Sequence, residues 1–434
     1  MIFKGKKFEV GSKIKIKTFK EDFQGILLES YDADILLLKL ESGYNIGIDK
    51  SNITGINLIE KPKKAEETEE KFELSHKKPV IDLIMTGGTI SSSLDVKTGG
   101  VKWLTSPGEL FKFYPEIFEI ADIRIVNPFM KASENMSSED WLRIVKQVVK
   151  SLNDSSVKGV IVTHGTDFLH YTSSALSFMI KNLNKPVVLT YSQRSSDRGS
   201  SDAELNLYCS AKMALSDCAE VMLVGHANSG DEYCYALQGN KCRKMHTSKR
   251  DAFKPINTSP IAKVYRDKIE FLRDYNKRKT GKEARAILED YFEDKIGLVK
   301  FYPGQSPDIL EWYFNSGYKG VVIEMSGLGH VLTEGSSNWI PVVKKLVDKG
   351  FIICASCQTI YGSLDPLVYS PGRELVKAGV IYLKDMLAET AFIKLGWVLG
   401  KLKEEKKKIT KESVEQLMLE NMRGEFNERL GEEI

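Results

Sequence analysis

The chain has 434 residues, 28% of them charged, and a formal net charge of only +3. That length predicts two to three domains around a large buried core, and the nearly balanced charge gives no global electrostatic argument for nucleic-acid binding. No apolar run approaches the ~20 residues of a membrane-spanning helix, and the lysine-rich start lacks the apolar core of a signal peptide. Six cysteines in so long a chain do not resemble a disulfide framework. The composition therefore predicts a cytoplasmic protein that does not associate with a membrane.

Residues 1–60 read as short strands separated by turn residues. Lysine and isoleucine alternate strictly over residues 13–17, and apolar runs recur over residues 25–28, 35–38 and 53–56. This spacing predicts a small closed all-β barrel. Lysines equal acidic residues in number here, so a basic binding face is not evident. We expect a spacer or partner-docking module in preference to a direct RNA contact.

Composition and periodicity divide the rest of the chain into five segments. Residues 61–79 are charged and poor in apolar side chains, which predicts a solvated linker. Over residues 80–262 buried strands alternate with helical patterns, which predicts a doubly wound catalytic α/β domain. Residues 263–294 are densely charged and predict a connection between domains. Residues 295–400 resume the α/β alternation as a smaller C-terminal domain, and residues 401–434 predict a charged helical tail.

The first segment that carries chemistry follows a buried strand predicted over residues 80–84. Residues 85–90 read Met-Thr-Gly-Gly-Thr-Ile. Two glycines allow a tight turn and a close approach of backbone to a ligand. The flanking threonines place hydroxyls at the carboxyl end of a strand, where open α/β sheets bind ligands. Taken alone, an ordinary strand-to-loop turn explains this segment about equally well.

A second buried strand, residues 159–162, runs into Thr-His-Gly-Thr-Asp at residues 163–167. A hydroxyl again follows a strand, now beside a carboxylate. Together the two segments resemble the signatures of the asparaginase family, amidohydrolases that use threonine to cleave a side-chain carboxamide. Neither segment carries Ser/His/Asp chemistry, and no metal-spaced His or Cys cluster accompanies them, so we expect no metal site.

This resemblance covers about residues 81–399. Residues 243–246 (Arg-Lys-Met-His) with residues 251–253 (Asp-Ala-Phe) are similar to the segment that supplies the family's catalytic lysine. Residues 301–304 (Phe-Tyr-Pro-Gly) resemble the start of its C-terminal domain, and residues 372–395 match its closing signature. The resemblance implies an asparaginase-like two-domain α/β fold, here preceded by the small all-β barrel.

Three features resemble the glutamyl-tRNA(Gln) amidotransferase branch of this family. They are the polar residues 192–202, the Ser-Glu-Asn-Met segment at residues 133–136, and the long extension before the first threonine segment. This branch implies a glutaminase that supplies ammonia to a partner, the E-type subunit of the amidotransferase, which amidates the glutamate on mischarged tRNA(Gln). It also implies no cofactor in this chain, with ATP and Mg used by the partner, and a homodimer within a heterotetramer.

The resemblance identifies four catalytic residues. Hydrolysis of a carboxamide needs a nucleophile, its activation, and donors for the oxyanion. Thr89 is expected to be the nucleophile, and Thr166, Asp167 and Lys244 its activating group. A lysine is a base only when neutral, and burial favours that form whereas a neighbouring carboxylate opposes it. Asp167 alternatively serves mainly to position the lysine and the substrate α-ammonium.

Expected substrate-binding residues surround these four. Gly88 and Gly165 are expected to bring backbone close to the substrate, Ser133 to contact its α-carboxylate, and Glu134 to contact its α-ammonium. His164 is expected to play a supporting role, because an isolated histidine near a core more often satisfies a hydrogen bond than acts as a base.

One departure from the family pattern concerns the lid. Related enzymes have a tyrosine just after the first threonine segment, whereas residues 91–112 contain none; Val96 or Trp103 occupies that region. The glycine-containing residues 98–108 suit a lid whose closure gates the site.

Other interpretations stay open from sequence alone. The chain is alternatively a stand-alone cytoplasmic L-asparaginase, or a catalytically silent subunit that binds tRNA or a partner. Residues 324–330 follow a predicted strand and are candidates for an ammonia path or a docking face. Cys354 and Cys357 have the spacing of a redox or metal pair, but their apolar context favours packed strand cysteines.

Overall fold

The computed structural model describes residues 2–3, 6–30, 32, 34–41, 45–62, 77–94, 101–103, 114–195, 200–281 and 284–430. Most of the predicted linker therefore lies outside the described residues. Within the described part, four hydrophobic cores form: one in the N-terminal β region, one in the catalytic domain, one shared by the catalytic and C-terminal domains, and one in the C-terminal domain.

The N-terminal region is all β, as predicted. Its strands are β1 (Ile2–Phe3), β2 (Lys6–Lys7), β3 (Lys13–Thr18), β4 (Asp22–Leu27), β5 (Ile35–Leu40), β6 (Asn45–Asp49) and β7 (Ile53–Glu60). Five of them form an antiparallel sheet in the order β6-β5-β4-β3-β7. The alternation of lysine and isoleucine in β3 buries the isoleucines. Among the described residues β6 and β7 remain at opposite edges, so backbone pairing does not close the expected barrel.

An eight-stranded sheet organises the catalytic domain, in the order β11-β8-β12-β14-β15-β16-β19-β20. Its first five strands are parallel: β8 (Val80–Met85), β11 (Asp122–Val126), β12 (Val157–Thr163), β14 (Val187–Thr190) and β15 (Val221–His226). The last three are antiparallel: β16 (Tyr233–Gln238), β19 (Ala262–Tyr265) and β20 (Ile269–Phe271).

Both faces of this sheet are covered by helices, which confirms the α/β fold class. The helices are α1 (Ile117–Ile120), α2 (Ser138–Leu152), α3 (Leu169–Met179) and α4 (Ala203–Leu215). Alternate residues of β8 enter the two cores: Ile84 packs with α2 and α3, whereas Leu83 packs with α4. A fully covered sheet explains why its strands read as continuous apolar runs.

Short ribbons complete the catalytic domain. Their strands are β9 (Ser92–Leu94), β10 (Val101–Trp103), β13 (Ile180–Lys181), β17 (Cys242–Lys244), β18 (Phe253–Pro255) and β21 (Ile287–Leu288). They pair as β9 with β10, β13 with β21, and β17 with β18.

The predicted boundary after residue 262 is wrong. Both β19 and β20 belong to the catalytic sheet, although they fall largely in the segment predicted as a charged connection. The reason is that β19 is solvent-facing on one side: Ala262 and Val264 are buried, whereas Lys263 and Tyr265 are only half-buried. Because charged residues occupy the outer face of this part of the sheet, the sequence pattern does not indicate a strand near the sheet edge.

The C-terminal domain has a four-stranded parallel sheet, β22-β23-β24-β25. Its elements are β22 (Ile296–Lys300), α5 (Asp308–Asn315), β23 (Gly320–Met325), α6 (Trp339–Asp348), β24 (Ile352–Cys357), α7 (Ser370–Lys377) and β25 (Ile381–Tyr382). Cys354 is buried within β24, and burial raises the pKa of its thiol. Both Cys354 and Cys357 are free thiols.

The last two helices are α8 (Ala388–Glu404) and α9 (Lys411–Met418). Helix α8 extends past residue 400, and its apolar side chains join the core that α2 and α3 form on the catalytic sheet. Val414 and Met418 of α9 enter the same core. The chain then folds back: Lys394 and Glu425 form a fully buried ion pair. Among the described residues, no helix is both long and apolar enough to cross a membrane.

Candidate active site

Two glycines set the turn that carries Thr89. After β8 ends at Met85, Gly87 has φ +128° and Gly88 has φ +85°, values that L side chains rarely adopt. A Cβ on Gly88 would collide with the carbonyl oxygen of His164, and one on Gly87 with that of Lys131. This close approach presses the first threonine segment against the second.

Neighbouring strands hold the two segments side by side. In the parallel pair of β8 and β12, Met85 is opposite Thr163. The hydroxyl of Thr86 donates to the Thr163 carbonyl at 2.7 Å, and the Ser91 hydroxyl donates to Thr163 Oγ1 at 2.7 Å. Thr89 begins a short 3₁₀ turn between these anchors and is partly exposed. Its hydroxyl therefore stands on a rigid support at the carboxyl edge of the sheet.

Lys244 is brought to the second segment from a distant part of the sequence. It ends β17, which pairs with β18. Its Nζ donates to Thr166 Oγ1 at 2.8 Å and to Asp167 Oδ1 at 2.7 Å. The lysine side chain is 10% exposed, whereas that of Asp167 is 63% exposed. The structure thus brings together three of the four predicted catalytic residues by direct contact, with Thr89 on the adjoining turn.

The predicted substrate-binding residues differ in their exposure to solvent. Ser133 lies in a 3₁₀ turn and is buried, and its Oγ is 2.9 Å from where a Cβ on Gly165 would stand. Gly88 is also buried, in contact with the His164–Gly165 peptide. Glu134, beside Ser133, is exposed. Hence Gly88 and Ser133 both pack against the backbone at Gly165, whereas Glu134 beside them is exposed.

His164 is a buried support between the two segments. Its Nδ1 lies 2.7 Å from the Gly165 carbonyl oxygen and its Nε2 2.8 Å from Thr172 Oγ1. Because a carbonyl only accepts, Nδ1 carries the proton and Nε2 accepts from Thr172. Thr172 Oγ1 in turn accepts from Trp141 Nε1 at 3.1 Å. Burial lowers the His164 pKa to about 4. A neutral imidazole therefore fixes the backbone next to Thr166.

The predicted lid lies mostly outside the described residues, as do Val96 and residues 98–100. Of Trp103 only the backbone is described, in β10. Tyr114, just beyond the predicted lid, is buried, and its hydroxyl donates to the Ile90 carbonyl at 2.9 Å. A tyrosine thus reaches the Thr89 turn, although through the backbone of the following residue.

Sequence reasoning missed a charged cluster behind Lys244. Arg243 Nε donates to Glu389 Oε1 at 2.8 Å, and His170 Nε2 lies 3.8 Å from the same oxygen. Burial, reinforced by the Arg243 charge, lowers the His170 pKa to about 3. Glu389 belongs to α8, so the strand that carries Lys244 is tied to the closing helix. Arg243 and Glu389 both lie in segments that resemble the asparaginase family, residues 243–246 and 372–395. The sequence does not indicate that two residues so far apart form an ion pair.

Glu324, the start of the predicted ammonia path, lies near this cluster. It is half-buried at the end of β23, and burial together with the Glu389 charge raises the pKa of its carboxyl. The ammonia path itself stays a prediction. Elsewhere in the described chain, no group of three or more His, Cys, Asp or Glu side chains is arranged to hold a metal ion.

Known families match three successive parts of the chain. A family described as GatD N-terminal domain matches residues 8–59, the asparaginase N-terminal family matches residues 80–277, and the glutaminase/asparaginase C-terminal domain family matches residues 295–411.

Solved structures are similar to the fold. The thermostable L-asparaginase of Thermococcus kodakarensis is 27% identical, with a TM-score of 0.72 over 81% of this chain and 100% of that chain. L-asparaginase I of Vibrio cholerae is 25% identical, with a TM-score of 0.68 over 81% of this chain and 99% of that chain. The asparaginase-like fold is thereby confirmed.

Curated relatives match nearly the whole chain. The D-type subunit of the glutamyl-tRNA(Gln) amidotransferase of Pyrococcus furiosus is 46% identical over 98% of this chain and 96% of that protein. The corresponding protein of Methanothermobacter thermautotrophicus is 41% identical over 97% of this chain and 94% of that protein. With its N-terminal β region, its asparaginase-like domains and this full-length similarity, the chain belongs to the GatD family, the asparaginase-like D-type subunits of glutamyl-tRNA(Gln) amidotransferase.

Proposed function

We propose that the chain is the glutaminase subunit of a tRNA-dependent amidotransferase and that Thr89 is its nucleophile. The observation that carries this proposal is the contact of Lys244 Nζ with both Thr166 Oγ1 and Asp167 Oδ1, beside the glycine turn that presents Thr89. A hydroxyl is too weak an acid to attack a carboxamide unaided, and this group supplies its activation.

The reaction proceeds in two halves. The Thr89 oxygen attacks the carboxamide carbon of glutamine, and its proton passes through the Thr166 hydroxyl to Lys244. Lys244 returns that proton to the amide nitrogen as the C–N bond breaks, so the nitrogen leaves as ammonia. Water then attacks the acyl-enzyme, which releases glutamate and restores the Thr89 hydroxyl. Lys244 Nζ lies 2.8 Å from Thr166 Oγ1, and a lysine accepts a proton only in its neutral form. Asp167 holds the lysine in place.

The residues beside Thr89 orient the rest of the substrate. We expect Ser133 to donate to the α-carboxylate, and we expect Gly88 and Gly165 to bring bare backbone close to the substrate; the close packing of the two glycines supports this. The exposed carboxylates of Glu134 and Asp167 suit the α-ammonium. Holding both ends of the substrate aligns the carboxamide with the nucleophile, which lowers the entropic cost of the attack.

The family of the chain supports a role for this chemistry in a larger reaction. For this chain we infer that the released ammonia passes to a second protein, the E-type subunit of the amidotransferase, which uses ATP and Mg to amidate the glutamate on tRNA(Gln). We further infer a homodimer of this chain within a heterotetramer. Glutamine is thus the nitrogen donor, and the mischarged tRNA is the acceptor.

Two valine variants test the proposal, because valine keeps the shape of threonine but lacks the hydroxyl. Thr89→Val and Thr166→Val should each reduce glutamine-dependent amidation by the assembled enzyme at least a hundredfold. Amidation with added ammonium salt should survive, since the partner's chemistry is untouched. A matched control is Thr54→Val, an exposed threonine of the N-terminal β region. Near wild-type glutaminase activity in either active-site variant would show that the assignment of that threonine is wrong.

A further inference from the structure

A second groove opens at the amino edge of the catalytic sheet, opposite the Thr89 site. Its volume is about 670 Å³, and it runs past the first residues of β12 and the residues just before β14. Five cationic side chains line it: Lys158, Lys185, Arg278, Lys279 and Arg285. We call it the basic groove.

No Asp or Glu is among the described residues that line the basic groove. Two acids lie near the groove but outside its lining: Asp154, whose carboxylate is bound by Arg124 at 2.9 Å, and Asp217, whose charge acts on Arg278. By contrast, many other surface lysines of this chain pair with carboxylates, such as Lys345 with Glu311 at 2.7 Å. The described lining of the groove therefore carries five cations and no carboxylate.

The hydrogen bonds of these cations agree with that imbalance. Lys185 Nζ donates to the Asp154 backbone carbonyl at 2.6 Å, Arg278 Nη2 to the Ser216 carbonyl at 2.6 Å, and Lys279 Nζ to Asn182 Oδ1 at 2.7 Å. Each acceptor is a neutral oxygen. Such bonds fix the positions of the cationic groups and do not themselves neutralise the charges.

Neighbouring positive charges affect the pKa of Lys185 in the basic groove. Burial lowers the pKa of its ammonium, and the positive charges of Arg278 and Lys158 lower that pKa further, whereas the carboxylates of Asp154 and Asp82 act in the opposite direction. Like charges held this close favour the binding of an anion, because an anion removes the repulsion.

The positive surface continues beyond the basic groove. A neighbouring cavity of about 380 Å³ shares Lys279 and adds Arg273 and Arg423. It also contains Glu220 and Asp274, although Glu220 already accepts from the backbone and side chain of Asn276. A run of cations over two cavities that share Lys279 suits a polymer with regularly spaced charges better than a single small anion.

We propose that the basic groove binds the phosphodiester backbone of RNA. Neutralising phosphates with lysine and arginine releases condensed counterions, which drives such binding without base contacts. The net charge of +3 concealed this site, because acidic residues elsewhere balance it. Binding here is independent of the proposed hydrolysis: it lies at the opposite edge of the sheet and requires no turnover.

The test measures RNA binding by the full chain in the absence of glutamine. A fluorescently labelled tRNA transcript is titrated at several salt concentrations with the wild type and with the triple variant Lys158→Ala, Lys185→Ala, Arg285→Ala. The matched control, Lys319→Ala, Lys344→Ala, Lys377→Ala, removes the same charge from exposed lysines of the C-terminal domain. Thermal unfolding shows whether each variant stays folded. If the triple variant does not fold, the double variant Lys158→Ala, Arg285→Ala is used instead, because both of its residues are exposed.

We expect the groove variant to bind at least tenfold more weakly. The slope of log affinity against log salt should fall by about two to three, roughly one for each lost phosphate contact. The control should bind like the wild type. Equal losses in the two variants would overturn the proposal, since bulk charge alone would then explain binding. Competition by inorganic phosphate as effective as that by RNA, at equal phosphate concentration, would also overturn it in favour of a small-anion site.

Discussion

The two edges of the catalytic sheet use cations in opposite ways. At the carboxyl edge, Lys244 is largely buried, and its ammonium contacts one carboxylate and one hydroxyl. At the amino edge, three cations of the basic groove, Lys185, Arg278 and Lys279, donate hydrogen bonds to neutral oxygens. A cation confined by specific partners suits proton transfer, whereas uncompensated cations suit the binding of a polyanion.

The difference arises from how each edge is built. The catalytic edge is assembled by close backbone contacts, where glycines let two strand ends touch. The basic groove is assembled from the starts of two strands and from residues 278–281 and 284–285. Substitutions at one edge should therefore leave the function of the other intact, and that separation is open to test.

Removing the amine of Lys244 should produce the largest effect. Lys244→Met should lower glutaminase activity by about 10³-fold, within the range that general acid–base groups contribute, and leave RNA binding unchanged. Lys244→Arg should fail similarly, because arginine keeps the charge and the Asp167 contact but does not release its proton. Ammonia release by the assembled enzyme measures both variants. An active arginine variant would show that charge alone, and not proton transfer, is needed.

A methyl group on Gly88 should have the next largest effect. Gly88→Ala combines an unfavourable φ of +85° with a collision against the His164 carbonyl, so the two threonine segments must separate. A displacement of about 1 Å at a reacting centre can lower the rate about 10²-fold. Gly304→Ala is the matched control, since Gly304 has φ +82° but open space around its Cβ position. Steady-state kinetics compares them; equal losses would mean that backbone strain, not the contact, is responsible.

Much of the catalytic edge was predictable, because each signature follows a buried apolar strand and parallel strands end at the same edge. The pairing of Arg243 with Glu389 was not predictable, since it depends on where α8 packs. Likewise, β19 and β20 were hidden by exposed charged residues on a strand with one buried face. The basic groove was not predictable from the sequence, because its cations come from separate segments and none of these segments is a basic run.

Acid should affect the catalytic edge gradually, through its buried histidines. The folded-state pKa of His164 is lowered to about 4 from its usual 6.5. Between these pH values the unfolded chain binds a proton that the folded chain does not, so stability falls as the pH drops from 6.5 to 4 and is unaffected above 6.5. Between pH 6.5 and 4, His164→Asn should reduce the slope of the unfolding free energy against pH by about 1.4 kcal/mol per pH unit.

Urea unfolding at pH 8, 6 and 5 measures this slope for the wild type and the His164→Asn variant. His170→Asn is a companion variant, because burial lowers the pKa of His170 in the same direction. Identical slopes in the wild type and the His164→Asn variant would show that His164 is protonated in the folded protein, contrary to the tautomer inferred from its hydrogen bonds.

The central claim is that Thr89 attacks the substrate, and covalent trapping tests it most directly. A glutamine analogue with a diazoketone in place of the carboxamide is incubated with the assembled enzyme, and peptide mapping by mass spectrometry locates the adduct. We predict a single adduct on Thr89, absent from Thr89→Val and strongly reduced in Lys244→Met. An adduct on Thr166, with Thr89 unmodified, would contradict the account and reverse the roles of the two threonines.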